Sequence, residues 1–372
     1  MIKKMVITGG VLTPALALID ELKNEKIWEI YYFGRKTTME GTPVLSSEAK
    51  IIPSLGVNFI SFNPGRLQRQ FSRYTIPSLL RVPFGFFKAF WELFKIKPQI
   101  IVSFGGYVSV PIVIAGWFLR IPIITHEQTV VFGLSSKINA IFATRIALSF
   151  PQSLQFFPKK KTVITGNPVR KQIFIKNQPD WFNIKINKPL IYVTGGNQGA
   201  LIINNTVLEI IEPLSKDYIV IHQTGESHFQ DVLEKRKLLS KGAQENYFVR
   251  SYIDNDEIGW VLNSADLVIS RSGANTICEL TILGKPSILI PIPWTYQNEQ
   301  YKNALMLKEA GIAEIIKQDD LSGELVLKTI KAMFLKKDLY LKNVSEAQKL
   351  VKLNATMALL KEINELTSEE KA

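Results

Sequence analysis

The motif that most constrains this chain occurs twice. Met5–Gly10 reads MVITGG, an apolar run that stops at Thr8-Gly9-Gly10, and Leu190–Gly196 reads LIYVTGG. The two Thr-Gly-Gly turns stand 186 residues apart, half of the 372-residue chain, and each precedes an apolar-periodic helical stretch. Strand, glycine turn and helix form the opening of a doubly wound α/β unit, so two openings predict two such domains. A single hydrophobic core rarely grows beyond about 250–300 residues, which fits that division.

The rest of the chain keeps the same rhythm. Strands are predicted at Ile2–Thr8, Glu29–Phe33, Val57–Phe62, Gln99–Phe104, Pro122–His126 and Arg145–Ser149. A second set lies at Leu190–Thr194, Tyr218–His222, Tyr247–Ser251, Leu267–Ser270 and Ser287–Pro291. Helical stretches between them imply parallel sheets with right-handed crossovers. The expected layout is an α/β chain of two doubly wound Rossmann-like domains, 1–167 and 168–345. A helical tail, 346–372, should pack back on the N-terminal domain. Ligands of such sheets sit beyond the carboxyl ends of the strands, so the cleft between the domains is the expected site.

Three strands end in a glycine pair and a helix: Gly9-Gly10, Gly105-Gly106 and Gly195-Gly196, the last with Gly199. Glycine lets the backbone approach a ligand, and the next helix offers unpaired N–H groups and a positive dipole end. A turn that merely packs helix on sheet would look the same singly; three in one chain favour diphosphate binding. A nicotinamide dehydrogenase is excluded, because TGGVLTP and TGGNQGA lack G-x-G-x-x-G and Phe33-Gly34-Arg35 replaces the acidic end of the second strand.

The richest stretch is SRSGANTICELTILGKPSILIPIPWTYQNEQYKNA, Ser270–Ala304. N–H groups near Gly273–Thr276 can meet a diphosphate, helped by the Thr276 hydroxyl. Glu279 lies one turn further on the same face and can accept from both hydroxyls of a ribose. Gln297, Asn298, Glu299 and Gln300 suit sugar hydroxyls. The competing reading is structural: Arg271 and Glu279 as a surface ion pair, and the polar run as a solvated helix start.

A net charge of +12 points to anionic partners: nucleic acid, an anionic membrane or phosphorylated ligands. Between Arg66 and Lys97 lie seven basic residues and one acid, interleaved with Phe71, Tyr74, Phe86, Phe90 and others. Leu80, Phe84, Phe87, Trp91 and Phe94 recur at helical spacing, with Lys88 and Lys95 beside them. Phe86, Phe90 and Leu93 make the other side apolar too, and one helix cannot face one core all round. An anionic membrane surface explains the excess. No nucleic-acid motif is present. Cys278 alone excludes an internal disulfide framework, and it makes a zinc site improbable with His126, His222 and His228. Ile100–Leu119 is long and uncharged, but Gly105-Gly106 and Pro111 read as strand, turn and helix rather than a membrane span.

Taken in order, VITGG…PALA, SFGGYVSVP, ITHEQ, GLSSKI, ITGNPVR, TGGNQGA, RSGANTICEL and NEQYKNA closely resemble the MurG family, over nearly the whole chain. That family moves N-acetylglucosamine from UDP-N-acetylglucosamine onto undecaprenyl-diphosphate-linked N-acetylmuramoyl-pentapeptide (lipid I), making lipid II for peptidoglycan. The resemblance implies the glycosyltransferase B fold, an inverting and largely metal-independent mechanism, no tightly bound cofactor, and a peripheral place on the cytoplasmic side of the cell membrane. It implies that Glu279 binds the uridine ribose. Arg271, Ser272, Gly273, Ala274, Asn275 and Thr276 would meet the nucleotide sugar. Glu299 and Gln300 would face the donor sugar, and Arg170, Asn197, Gln198 and Gly199 its diphosphate. Gly9, Gly10, Gly105, Gly106 and Tyr107 would hold the acceptor's diphosphate.

Three positions depart from the family pattern. Asn197 replaces a usual serine, and Thr129 replaces the asparagine after His126-Glu127-Gln128. Val11 stands where the family carries the histidine that leads as general base. Inversion needs a base for the acceptor's 4-hydroxyl, and valine cannot serve. Either His126 or Glu127 acts instead, or the substitution cripples a genuine transferase, or positioning and leaving-group stabilisation carry the rate. Another lipid-acceptor glycosyltransferase of the same fold, or an impaired UDP-sugar-binding relative, are the alternative functions.

Overall fold

In the computed structural model, residues 2–37, 45–65 and 75–368 are described, the side chains of 75–80 excepted. The chain divides into two compact domains: Met1–Arg170 together with Lys352–Ala372, and Lys171–Val351.

The first domain is built on β1 (Lys3–Thr8), β2 (Trp28–Gly34), β3 (Asn58–Ser61), β4 (Ile100–Ser103), β5 (Ile123–Glu127), β6 (Arg145–Leu148) and β7 (Thr162–Ile164). They form one sheet in the order β3-β2-β1-β4-β5-β6-β7, and every pairing is parallel. The second domain uses β8 (Leu190–Thr194), β9 (Ile219–Gln223), β10 (Tyr247–Arg250), β11 (Leu267–Ser270), β12 (Ser287–Leu289) and β13 (Ala313–Ile315). Its order is β10-β9-β8-β11-β12-β13, again all parallel. Both sheets are buried on two faces, which is why β4, β8 and β11, and β1 beyond Lys3-Lys4, read as nearly continuous apolar runs. Strands β7 and β13 escape sequence reading because they are three-residue edge strands with mostly half-buried side chains.

In each sheet the order reverses once, between β1 and β4 and between β8 and β11. The glycine turns at Gly9-Gly10 and Gly105-Gly106 therefore flank one switch point. The Gly195-Gly196 and Ser272-Gly273 turns flank the other. A switch point splays the crossovers apart and leaves a crevice above the strands.

The C-terminal helix Ala355–Ser368 places Leu359, Leu360, Ile363 and Leu366 in the first domain's core, against Leu18, Ile19 and Val102. Arg145 at the start of β6 clamps it with a 2.6 Å ion pair to Glu362.

The helix Thr75–Ile96 is two-faced. Ala89, Leu93 and Ile96 are buried, with Phe86 and Phe90 packed partly against that core. The other side exposes Phe84, Phe87, Trp91 and Phe94, between 53% and 75% of each side chain. Trp91 and Phe94 stack at 6.3 Å, and Lys95 lies 5.3 Å from the Trp91 ring. The residues grouped by helical spacing are thus the solvent face, and the apolar residues opposite them are the core face. The Leu80 side chain, Phe71 and Tyr74 lie outside the described residues. No helix among the described residues is long and apolar enough to cross a membrane.

Truncating Leu359 to alanine should cost the first domain about 2–5 kcal/mol, the usual cost of deleting a buried leucine side chain. Urea unfolding followed by domain-resolved hydrogen exchange checks it; an unchanged first domain would remove the tail from that core.

Candidate active site

At the first switch point the two glycine turns meet backbone to backbone. The Gly10 N–H donates to the Gly105 carbonyl at 3.1 Å. Gly9 has φ +151°, and a Cβ there would stand 2.9 Å from the Phe104 carbonyl carbon. Gly106 has φ +79°, and its Cβ would stand 3.0 Å from Gly10 N. So Gly9 and Gly106 serve the approach of the turns, while Gly10 remains exposed to a ligand. Ser103 accepts from Gly105 N, Ser109 donates to the Gly106 carbonyl, and Asn139 Nδ2 donates to both serine hydroxyls. Tyr107, half-buried, packs partly on the core beside this loop.

Val11 precedes the helix Leu12–Glu25 in extended conformation and makes no side-chain cap. An N-cap without an acceptor leaves the first helical amides to water or a ligand. Val11 itself offers no proton acceptor.

The buried carboxylate Glu127 ends β5. It accepts from Thr129 N at 3.1 Å and Thr129 Oγ1 at 2.9 Å, and from the Ser136 hydroxyl. Ser136 also faces Gly105, whose Cβ would lie 3.7 Å from Oγ. Burial pushes the Glu127 pKa above the usual carboxylate value, against the lowering effect of these hydrogen bonds. Ser136 and Asn139 were not singled out in the sequence. Their three-residue spacing on one helix face within and after GLSSKI was the signal that both meet the turns.

The candidate base His126 is placed otherwise. It is fully buried under Phe104, with ring centroids 5.5 Å apart. Nε2 lies 2.8 Å from the Gly166 carbonyl, which can only accept, so Nε2 carries the proton. Nδ1 accepts from Gln128 Nε2 at 3.1 Å. Burial brings its pKa down to about 4. The ring is neutral, and its lone pair is already used inside the protein, so it ties β5 to the Gly166 turn.

In the second domain the Gly195–Gly199 turn is held just as closely. A Cβ on Gly199 (φ +75°) would fall 1.8 Å from the Thr224 carbonyl oxygen. That oxygen accepts from Asn204 Nδ2 at 3.0 Å, and Asn204 Oδ1 accepts from His222 Nε2 at 3.0 Å. The Tyr247 hydroxyl donates to His222 Nδ1 at 2.7 Å. Burial lowers the His222 pKa to about 3, so this chain is neutral. Asn197 and Gln198 stand exposed at the tip.

Across the switch point, Ser272 Oγ donates to the Gln300 carbonyl at 2.8 Å, and Asn303 Nδ2 to the Ser272 carbonyl at 3.1 Å. Gln300 Oε1 in turn accepts from Ile292 N at 3.1 Å. Gln297 and Asn298 both have left-handed backbones (φ +49° and +54°), a strain that clusters at functional loops. The helix Ala274–Ile282 starts directly at Gly273, with Ala274 and Glu279 buried and Asn275 and Thr276 half-buried. Glu299 opens the next helix, Glu299–Glu309.

Arg271 and Glu279 are both buried, which overturns the surface ion-pair reading. The Arg271 guanidinium donates to the Ile290 carbonyl at 3.0 Å and to Gln318 Oε1 at 2.8 Å. Arg170 closes the first domain, so it lies outside the domain that holds the other residues expected to meet the donor.

The sequence matches the glycosyltransferase family 28 N-terminal domain over residues 7–148 and the family 28 C-terminal domain over residues 190–360. A UDP-N-acetylglucosamine–N-acetylmuramyl-(pentapeptide) pyrophosphoryl-undecaprenol N-acetylglucosamine transferase of Lachnospira eligens is 33% identical over 368 residues, 97% of this chain and 99% of its own length. The chain belongs to the MurG family of glycosyltransferase family 28. A second transferase of that name, from Halalkalibacterium halodurans, is 35% identical over 87% of each chain. The crystal structure of MurG from Acinetobacter baumannii shares the fold at a TM-score of 0.70 and 21% identity, covering 98% of this chain and 99% of that one. A MurG-family fold of two parallel-sheet domains accounts for both switch-point sites.

The two buried neutral histidines give a pH signature of folding. Their pKa is lowered by folding, so their contribution is complete above the unfolded value of about 6.5. As pH falls, stability should drop between about 6.5 and 4 for His126 and toward about 3 for His222. The slope is ~1.4 kcal/mol per pH unit for each histidine. Urea titrations at pH 7 and 5 check it, and His126→Gln should flatten the first-domain component.

Proposed function

We infer that this chain transfers N-acetylglucosamine from UDP-N-acetylglucosamine to the 4-hydroxyl of the muramoyl sugar of lipid I, giving lipid II. The carrying observation is one-third identity along 97% of the chain to transferases named for that reaction. UDP-N-acetylglucosamine is the donor substrate, and no tightly bound cofactor is required.

The reaction is a single inverting displacement. The acceptor oxygen attacks the anomeric carbon, its proton passes to a base, and UDP departs. The proposed donor grip is the start of the helix Ala274–Ile282. Amides near Gly273–Thr276 and the Thr276 hydroxyl face the diphosphate, and Glu279 takes the ribose hydroxyls. Leaving-group charge is met there by oriented N–H groups. Glu299 and Gln300 address the donor sugar, and Asn197, Gln198 and Arg170 its diphosphate. The acceptor diphosphate is assigned to Gly10 and the Gly105-Gly106 turn, where exposed backbone and the uncapped helix after Val11 lie together.

Glu127 is the proposed base. Burial raises its pKa toward the operating range, and Ser136 sets it beside the Gly105 turn. His126 has no free lone pair to offer. The impaired-relative reading rests on Val11, Thr129 and Asn197, and the same experiment decides it.

The exposed Phe84, Phe87, Trp91 and Phe94 stripe with Lys88 and Lys95 is the proposed contact with an anionic bilayer, on the cytoplasmic side where the nucleotide sugar is available. Aromatics enter the headgroup region, and each basic residue contributes about 1 kcal/mol near the surface. Phe87→Ser combined with Trp91→Ser should release the protein from vesicles containing anionic lipid in a flotation assay, with folding intact.

UDP release with lipid I or a short-chain analogue tests the activity. The unmodified chain should turn over, and Glu127→Gln should lower kcat roughly 10²–10⁴-fold. A carboxylate base works only when ionised. Activity should therefore fall on the acid side, through a pKa above the usual carboxylate value. Near-inactivity rescued by Val11→His would instead establish the missing-histidine reading.

A further inference from the structure

The second domain carries an open pocket of about 490 Å³ beside the proposed donor grip. Its wall is more apolar than a hydroxyl-rich sugar needs: Leu201, Ile202, Ile292 and Trp294. Trp294 is 73% exposed, on a loop whose backbone is restricted by Pro291 and Pro293. A large aromatic held open on a stiffened loop gives a ligand contact area at little entropic cost.

The floor is polar in a particular way. Arg271 is only 9% exposed, and its Nε has no hydrogen-bond partner. The two bonds its terminal nitrogens make go to a carbonyl and an amide, so among the described residues no carboxylate pairs with its charge. A buried guanidinium left uncompensated is costly unless a ligand brings the anion. The bond from Arg271 also fixes Gln318 by its oxygen, which leaves the Gln318 amide N–H groups as donors at the pocket. The occupant that matches is a small apolar group joined to an amide, carried close to a phosphate. In a nucleotide sugar such as the proposed donor, that group is the acetamide on carbon 2.

We propose that Trp294, with Leu201 and Ile202, receives the methyl of the donor's 2-acetamido group, and that Gln318 donates to its carbonyl. Trp294 is then a specificity-determining residue that separates N-acetylglucosamine from glucose, while the nucleotide grip at Gly273–Glu279 is indifferent to that difference. The proposal rests on the donor reading above. It deepens it by assigning the group that the known activity must select.

Equilibrium binding tests it without depending on turnover. Isothermal titration of the full chain with UDP, UDP-glucose and UDP-N-acetylglucosamine should give tightest binding to the last. Trp294→Ala, on an exposed loop, should weaken UDP-N-acetylglucosamine about 10-fold, within the range one small apolar group contributes. UDP and UDP-glucose should stay within about two-fold, and Trp294→Phe should retain most of the preference. Equal weakening of all three ligands, or no change in any, would overturn the proposal while leaving the donor site standing. Failure of the unmodified chain to bind UDP at all would instead remove the donor reading, and this proposal with it.

Discussion

The contact between the β1 and β4 turns is the constraint on which the first domain's proposed site depends. Two strands adjacent at a switch point send their chains to opposite faces, and here their turns come close enough for a Gly10–Gly105 hydrogen bond. That approach excludes any Cβ at Gly9 or Gly106. It also fixes the outward backbone of Gly10 and seats Ser136 against Gly105, which brings Glu127 into the same group. The second domain repeats the scheme with different parts: Gly199 against Thr224 on one side, and Ser272 against Gln300 and Asn303 on the other.

Both sites stand on buried polar supports whose charges are silent. His126 and His222 are neutral, each with both ring nitrogens engaged by neighbouring groups of the protein. Burial acts in opposite chemical directions on the two kinds of group. It strips a histidine of its charge, yet it makes the Glu127 carboxylate a stronger base, because in each case the charged form loses water. Neighbouring His126 and Glu127 in one strand are thus shifted in opposite directions by the same burial.

Much of the fold was legible in sequence because parallel strands buried on both faces must be continuously apolar, and because glycine turns punctuate them. Eleven of the strands follow from that pattern; β7 and β13, with three residues each at sheet edges, carry too little of it. The residues proposed for the donor, Ser272, Gly273, Thr276, Glu279 and Gln300, could be named from sequence because they fall in one contiguous stretch of chain. The supports Ser136, Asn139, Thr224 and Gln318 were not, because each acts through a partner distant in sequence. The face of the helix Thr75–Ile96 that meets water was likewise undecided: both of its sides are apolar, and only the packing of Ala89, Leu93 and Ile96 shows which one is spent on the core.

Sequence by itself determined the two-domain parallel architecture, the family and the residue types available for chemistry, because periodicity and turn composition are local properties. Tertiary structure decided which groups are usable. It gave both His126 ring nitrogens partners, and it lifted the pKa of Glu127 by burying it. It also buried the Arg271 guanidinium in a pocket that Trp294 lines, with a carbonyl and an amide as its hydrogen-bond partners. Solvation and the occupancy of lone pairs depend on neighbours brought together across the chain, and no local pattern encodes them.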